Sequence, residues 1–164
     1  MIDLTPFCAT RFDHREHLRA PFRHGTWVYA TNAHLAVRVP STSRPDVIAI
    51  LGPGNIGDLF AKAFEREGEF LLMPPLPPMP VACEVCGGSG HVDWDDDEAC
   101  FECGGTGITR VAQRLGDSAY SLHYLHLLAA LPQVRIRTDG IGPRHAAALI
   151  FDGGEAILMP CREK

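Results

Sequence analysis

The sequence predicts an α+β body of two helices and antiparallel strands, interrupted by an inserted cysteine-rich β-hairpin. Three observations carry that expectation. Apolar residues alternate with period two in short runs and follow a helical period in two longer ones, so strands and helices are mixed along one chain. Thirteen prolines and sixteen glycines in 164 residues cut the chain into many short elements joined by turns. Cys83 to Gly107 reads CEVCGGSGHVDWDDDEACFECGGTG, two copies of a Cys-x-x-Cys-Gly-Gly-(Ser/Thr)-Gly unit around an acidic loop. At 17.9 kDa there is room for one ordinary core and a small side module, not for two enzyme domains. The expected division is a body over residues 1–79 and 111–164, with the insert over 80–110.

Taken in order, Asp13 is placed to cap a short helix that Pro21 stops. Arg11, Arg15, Arg19 and Arg23 recur every fourth residue, but Pro21 breaks the stripe a continuous helix would make. A solvated face is the default reading, with phosphate contact by Arg15 and Arg19 the sharper alternative. His14 and His17 lack a third ligand and read as surface residues. Thr26 to Val39 is β-rich on both sides of an Asn-containing turn and reads as a hairpin. Pro40 to Pro45 is a loop, and Asp46 to Leu51 a short apolar strand. Asn55 then caps a helix to about Glu67, with Ile56, Leu59, Phe60, Ala63 and Phe64 on its inward face.

Glu69 to Met73 reads as a strand running into the stiff segment Pro74 to Pro80, and Ile108 to Val111 leads out of the insert. Ser121 caps a second helix to Leu131, with Tyr124, Leu125, Leu128 and Leu131 inward and Pro132 as its stop. Val134 and Ile136 alternate with Arg135 and Arg137 in a half-buried strand turned by Asp139-Gly140. Ala146 to Phe151 and Glu155 to Met159 form a last hairpin across Asp152-Gly153-Gly154. Cys8 and Cys161 have no Cys-x-x-Cys partner and read as buried thiols.

The two Cys-x-x-Cys pairs have the spacing of a four-thiolate tetrahedral zinc site, because each short loop directs two sulfurs at one metal. The glycines after Cys86 and Cys103 let each loop turn back through positive φ with its amides facing the sulfurs. Paired disulfides would require an oxidising compartment, and Met1-Ile2-Asp3 opens no export signal. A redox Cys-x-x-Cys occurs once at a helix start, whereas this one is duplicated with matching glycines. One zinc held by Cys83, Cys86, Cys100 and Cys103 is therefore expected, with no open position for a catalytic water.

These loops resemble half of the cysteine-rich region of the DnaJ chaperones, whose repeats read Cys-x-x-Cys-x-Gly-x-Gly. The chaperone region uses four such loops and two zincs, and this chain has no J-domain signature, so chaperone function does not carry over. The body resembles one domain of the bacterial DNA polymerase sliding clamp. Tyr29-Ala-Thr-Asn-Ala-His-Leu-Ala-Val37 is similar to the clamp's Ala-Thr-Asp-Gly-His-Arg-Leu-Ala-Val, lacking one residue and the turn glycine. Tyr120 to Pro160 is similar to the clamp's Phe-x-x-x-Tyr-Leu-x-x-Ala-Leu helix through its closing Met-Pro. A ring needs about six such domains, and this chain offers one. The combination also looks like small bacteriophage proteins, which implies the cytoplasm of a bacterial host and a partner in DNA transactions or host defence.

Charge separates the two parts. Cys83 to Gly107 holds Glu84, Asp93, Asp95, Asp96, Asp97, Glu98 and Glu102 and no Lys or Arg, while the whole chain carries −5. Four thiolates around a divalent cation take the insert to about −9. An insert of that sign opposes phosphate, so direct DNA binding is not expected of it. A solvated hairpin tip is the plain reading; the sharper one has Asp95, Asp96, Asp97 and Glu98 docking on a basic protein surface. That surface includes one that normally holds nucleic acid on a host nuclease or defence complex, with this chain as its acidic mimic. No apolar run approaches a membrane span, and no nucleophile–base pair or carboxylate dyad stands out. The remaining enzymatic alternative is a nucleotide site at Gly52-Pro-Gly-Asn-Ile-Gly57, a G-x-G-x-x-G before a helix. Pro53 removes a donor from that loop, and no acidic residue follows where a ribose would be held.

Overall fold

A computed structural model describes residues 1–48, 52–92, 95–138 and 146–161, with residues 95–97 described by backbone alone. In chain order the elements are β1 (Phe22–His24), β2 (Trp27–Thr31), β3 (Leu35–Pro40), α1 (Ile56–Phe64), β4 (Leu71–Leu72), β5 (His91–Val92) and β6 (Asp95–Ala99). β7 (Ala112–Leu115), β8 (Ser118–Ser121), α2 (Leu122–Ala129), β9 (Arg135–Arg137), β10 (Ala147–Phe151) and β11 (Gly154–Leu158) follow. Seven strands form one sheet in the order β1-β2-β3-β11-β10-β9-β4, and every neighbouring pair in it is antiparallel. β5–β6 and β7–β8 are separate two-stranded ribbons. Mixed helix and antiparallel sheet is the α+β class the periodicities predict.

Both faces of the sheet are covered, and the alternation along the central strands assigns each residue to one of them. Val28 and Ala30 of β2, Leu35, Val37 and Val39 of β3, Leu149 of β10 and Ala156 and Leu158 of β11 face α2, whose Leu125 and Leu128 complete the larger core cluster. Leu4 and Phe7, around a 3-10 turn at Thr5–Phe7, close the same cluster. The intervening residues Tyr29, Ala36, Ala148 and Ile157 face the other way and meet Ile56, Phe60 and Ala63 of α1. Phe22 and Tyr29 stack with ring centroids 5.7 Å apart, and Tyr29 meets Phe60 edge-on at 5.7 Å.

The α1 face also takes in charge. Arg38 lies opposite Glu155 in the β3–β11 register and donates to its carboxylate at 2.8 Å. Its guanidinium sits 4.3 Å from the centroids of both Trp27 and Phe60. Arg137, expected to point outward, is instead only 4 % exposed. Its Nη2 donates to the Ala63 carbonyl at 2.6 Å and its guanidinium lies 4.7 Å over Phe70, so it satisfies an orphan carbonyl in the last turn of α1. That helix stops at Phe64, short of Glu67, and its Leu59 is exposed rather than inward. Neither Asn55 nor Ser121 makes a side-chain capping bond. α2 ends at Ala129, with Leu131 buried beyond it and Tyr124 half-buried against His34.

Several local expectations resolve differently. Residues 13–20 form only a 3-10 turn at Glu16–Leu18. The Asp13 carboxylate accepts from the Arg15 backbone amide at 2.9 Å and pairs with its guanidinium at 2.7 Å, and Arg19 donates to the Asp13 carbonyl at 2.6 Å. Those bonds favour a turn over a helix and occupy the two arginines. The Arg15 side-chain bond, opposed by partial burial, brings the Asp13 carboxyl down to about 2. Asp46 and Val47 are turn and bend and Ile48 is irregular rather than strand, and the rest of that expected strand, like Asp139-Gly140, lies outside the described residues. Two hairpins were not anticipated: β1–β2 turns at Gly25 and β7–β8 at Gly116, both glycines at φ 60°.

The β2–β3 hairpin is present, and its turn shows how it does without the glycine. Ala33 takes φ 70°. The Asn32 side-chain oxygen accepts from the amides of His34 and Leu35 at 3.0 Å each, and Thr31 Oγ1 accepts from Ala33 at 3.1 Å while donating to Leu35 at 2.6 Å. These bonds offset a left-handed alanine that costs about 1 to 2 kcal/mol.

Candidate metal centre

Each Cys-x-x-Cys loop is too short to hold a sulfur in place by packing, so convergence depends on two loops meeting. The sulfurs of Cys83, Cys86, Cys100 and Cys103 lie within 4.8 Å of one another, and all four residues are buried. Cys83 and Cys100 are separated by 4.0 Å and Cys86 and Cys103 by 3.8 Å between sulfurs. A tetrahedron of metal–sulfur bonds of about 2.3 Å spaces its sulfurs by about 3.8 Å, so this arrangement fits a four-thiolate metal.

The backbone repeats the sequence duplication with a pseudo-twofold relation. Cys83 donates its amide to Gly107 and Cys100 donates its amide to Gly90, both at 2.9 Å. Gly90 donates to Cys86 Sγ at 3.4 Å, and Gly107 donates to Cys103 Sγ at 3.2 Å. Ser89 Oγ donates to the Cys86 carbonyl at 2.8 Å and Thr106 Oγ1 to the Cys103 carbonyl at 2.9 Å, which explains the Ser/Thr position of the motif. The isolated bridge Ala82–Ile108 mirrors the Ala99–His91 pair of β5–β6. Glycine is required where the loops interlock: a Cβ on Gly107 would lie 2.3 Å from the Gly88 carbonyl oxygen, and one on Gly90 would lie 2.6 Å from that of Gly105.

Amides aimed at sulfur favour the thiolate. Burial opposes ionisation of Cys86, but the Gly90 and Gly88 amides together with the neighbouring Cys103 and Cys83 sulfurs outweigh it and lower that thiol, while Cys100 in the same cluster is pushed up. Thiolate character at neutral pH is what a metal ligand needs.

Contacts from outside the motif hold the insert against the body, and no periodicity announces them. Gly105 approaches Thr10 and Phe12, and the Phe12 ring lies 5.8 Å from that of His91. Arg110, the first basic residue after the motif, folds back so that its Nη2 lies 2.5 Å from where a Gly104 Cβ would be. It brings a positive charge beside the cysteine loops that the count from Cys83 to Gly107 omits. His126 Nε2 on α2 lies 2.8 Å from the Pro77 carbonyl and ties down the proline-rich approach.

The other expected sites separate from this centre. Glu98 is exposed on β6, while the side chains of Asp95, Asp96 and Asp97 lie outside the described residues. His14 and His17 are exposed. Cys8 is buried and donates to the Leu4 carbonyl at 3.7 Å, whereas Cys161 is half-exposed instead of buried. A Cβ on Gly52 would lie 2.1 Å from the Phe22 ring, while Gly54 and Gly57 face open space. Tight packing therefore explains the first glycine of that loop. The antiparallel sheet offers α1 no parallel strand of the kind a dinucleotide fold uses, among the described residues. No described helix is long and apolar enough to cross a membrane. No family model matches the chain, and neither curated proteins nor solved structures give a match to it.

Proposed function

We propose that this chain is a non-catalytic zinc protein that works by docking an acidic, metal-held hairpin on a basic surface of a protein partner. The observation that carries the reading is the convergence of four buried cysteine sulfurs within 4.8 Å. Zinc bound there supplies four metal–thiolate bonds and offers no open coordination position, so its chemistry is structural. Cys83, Cys86, Cys100 and Cys103 hold it, Gly90 and Gly107 orient two of the sulfurs, and Arg110 offsets part of their charge.

The partner reading rests on charge. Seven carboxylates with no Lys or Arg between Cys83 and Gly107 disfavour phosphate and favour a cationic protein surface. The sequence resemblances to a clamp domain and to small phage proteins favour a partner among proteins of DNA transactions or host defence, and an acidic hairpin on a nucleic-acid site would act there as a mimic. Paired affinity capture from bacterial lysate tests this, with wild type and a variant carrying Lys at positions 95–98 as baits. A protein retained by wild type, lost at high salt and absent from the variant is expected, with equal zinc in both baits. Identical captures from the two baits, or tight binding of duplex DNA by wild type, would contradict it.

A further inference from the structure

The chain has eight phenylalanines, and seven are buried or half-buried; Phe101 is 75 % exposed. It is the one aromatic among the large hydrophobic side chains exposed in the described residues. Its position is also constrained by the turn that carries it. It lies between the ligand positions Cys100 and Cys103, and Gly104 donates to the Cys100 carbonyl at 2.7 Å to close the turn beneath it. An apolar ring on a preorganised turn loses little conformational freedom when a partner covers it. Acidic residues lie close in the chain: Glu102, the next residue, and Glu98, three residues before, are both exposed.

We propose that Phe101 is the anchor of the docking surface, inserting into an apolar pocket rimmed by Arg or Lys on a protein partner. The inference rests on the docking function proposed above and adds the contact that gives it affinity. Carboxylates around the ring steer and select a basic rim, while burial of the ring supplies the central hot spot that charge alone does not. The same carboxylates repel nucleic-acid phosphates and anionic lipid, the other two surfaces on which an exposed phenyl ring stacks or inserts.

The test uses the zinc-loaded full chain as bait for a random peptide library displayed on phage. Enriched peptides are synthesised and their affinities measured for wild type, Phe101→Ala, Phe101→Lys and, as a control on an exposed apolar residue of α1, Leu59→Ala. Enriched peptides should pair Arg or Lys with an apolar residue and bind less tightly as salt rises. Phe101→Ala should weaken them at least tenfold and Phe101→Lys further, with zinc content unchanged in both and Leu59→Ala without effect. Salt-sensitive binding indifferent to Phe101 would overturn the anchor and leave the acidic docking surface standing. Peptides without basic residues, bound independently of salt, would overturn the docking function itself. Failure to enrich any peptide, or Phe101-dependent binding of single-stranded DNA or anionic vesicles in place of peptides, would overturn the protein pocket as occupant.

Discussion

In the body, Val37, Leu149 and Leu158 meet Leu125 and Leu128 across one face of the sheet, and Tyr29 and Ile157 meet Phe60 across the other. In the insert, the buried cluster among the described residues is Cys83, Cys86, Cys100 and Cys103. One region is held by apolar area removed from water, spread over two layers; the other has four sulfurs and a network of amide bonds around them. The two regions should therefore fail under different conditions, and the boundary between those failures is the sharpest thing to probe.

The largest effect should come from removing a ligand. Structural zinc contributes on the order of 10 kcal/mol to folding a module of this kind. Cys86→Ser or a strong chelator should abolish amide protection in β5 and β6 while the β2–β3–β11–β10 sheet keeps its own. Hydrogen exchange read by mass spectrometry separates the two regions. Loss of protection across the whole sheet on chelation would mean that the body leans on the metal as well.

The converse substitution lies in the body. Leu149 is fully buried in the larger cluster, so Leu149→Ala should cost about 2 to 5 kcal/mol, read by denaturant midpoint. Zinc content at native conditions should stay unchanged. Next in size is Gly107→Ala, which puts a methyl 2.3 Å from a carbonyl oxygen at φ 72°. It should weaken metal retention against a competing chelator while barely moving the body's midpoint.

These contrasts also mark what the residues disclose by themselves. The four ligands are legible because spacing along a loop decides which sulfurs meet, and the central strands because apolar alternation decides which face is buried. The alternation around Val134 and Ile136 assigns Arg137 to solvent. Only the fold brings the Ala63 carbonyl and the Phe70 ring to its guanidinium. Asp13 suits a helix cap and a tight turn equally, and Arg15 is close enough to complete the turn. β7 and β8 carry no clean apolar alternation, since Ala112 is exposed and Ser118 buried, although Gly116-Asp117 is a hairpin turn signal. Phe12 against Gly105 and His91 has no local signature, since it joins residues about eighty to ninety positions apart.

Two smaller effects complete the contrast. Ala33→Gly relieves the left-handed strain of the β2–β3 turn and adds unfolded-state freedom, so a net gain below about 1 kcal/mol is expected in the denaturant midpoint. A loss would show that the Ala33 methyl packs usefully. The Asp13 carboxyl is depressed to about 2, so its pairing with Arg15 stabilises the fold above the unfolded carboxylate range and fades as pH falls toward 2. For a partly buried pair at the surface this is worth under about 1 kcal/mol. Metal release by thiolate protonation should precede it on acidification.

The central claim is that four cysteines hold one zinc and form no disulfide. Native mass spectrometry of the intact chain combined with alkylation tests it most directly. The chain should carry one zinc, with Cys161 alkylated first and Cys83, Cys86, Cys100 and Cys103 protected until a chelator is added. A metal-free chain lighter by four hydrogens, or one whose four cysteines alkylate without metal removal, would contradict it.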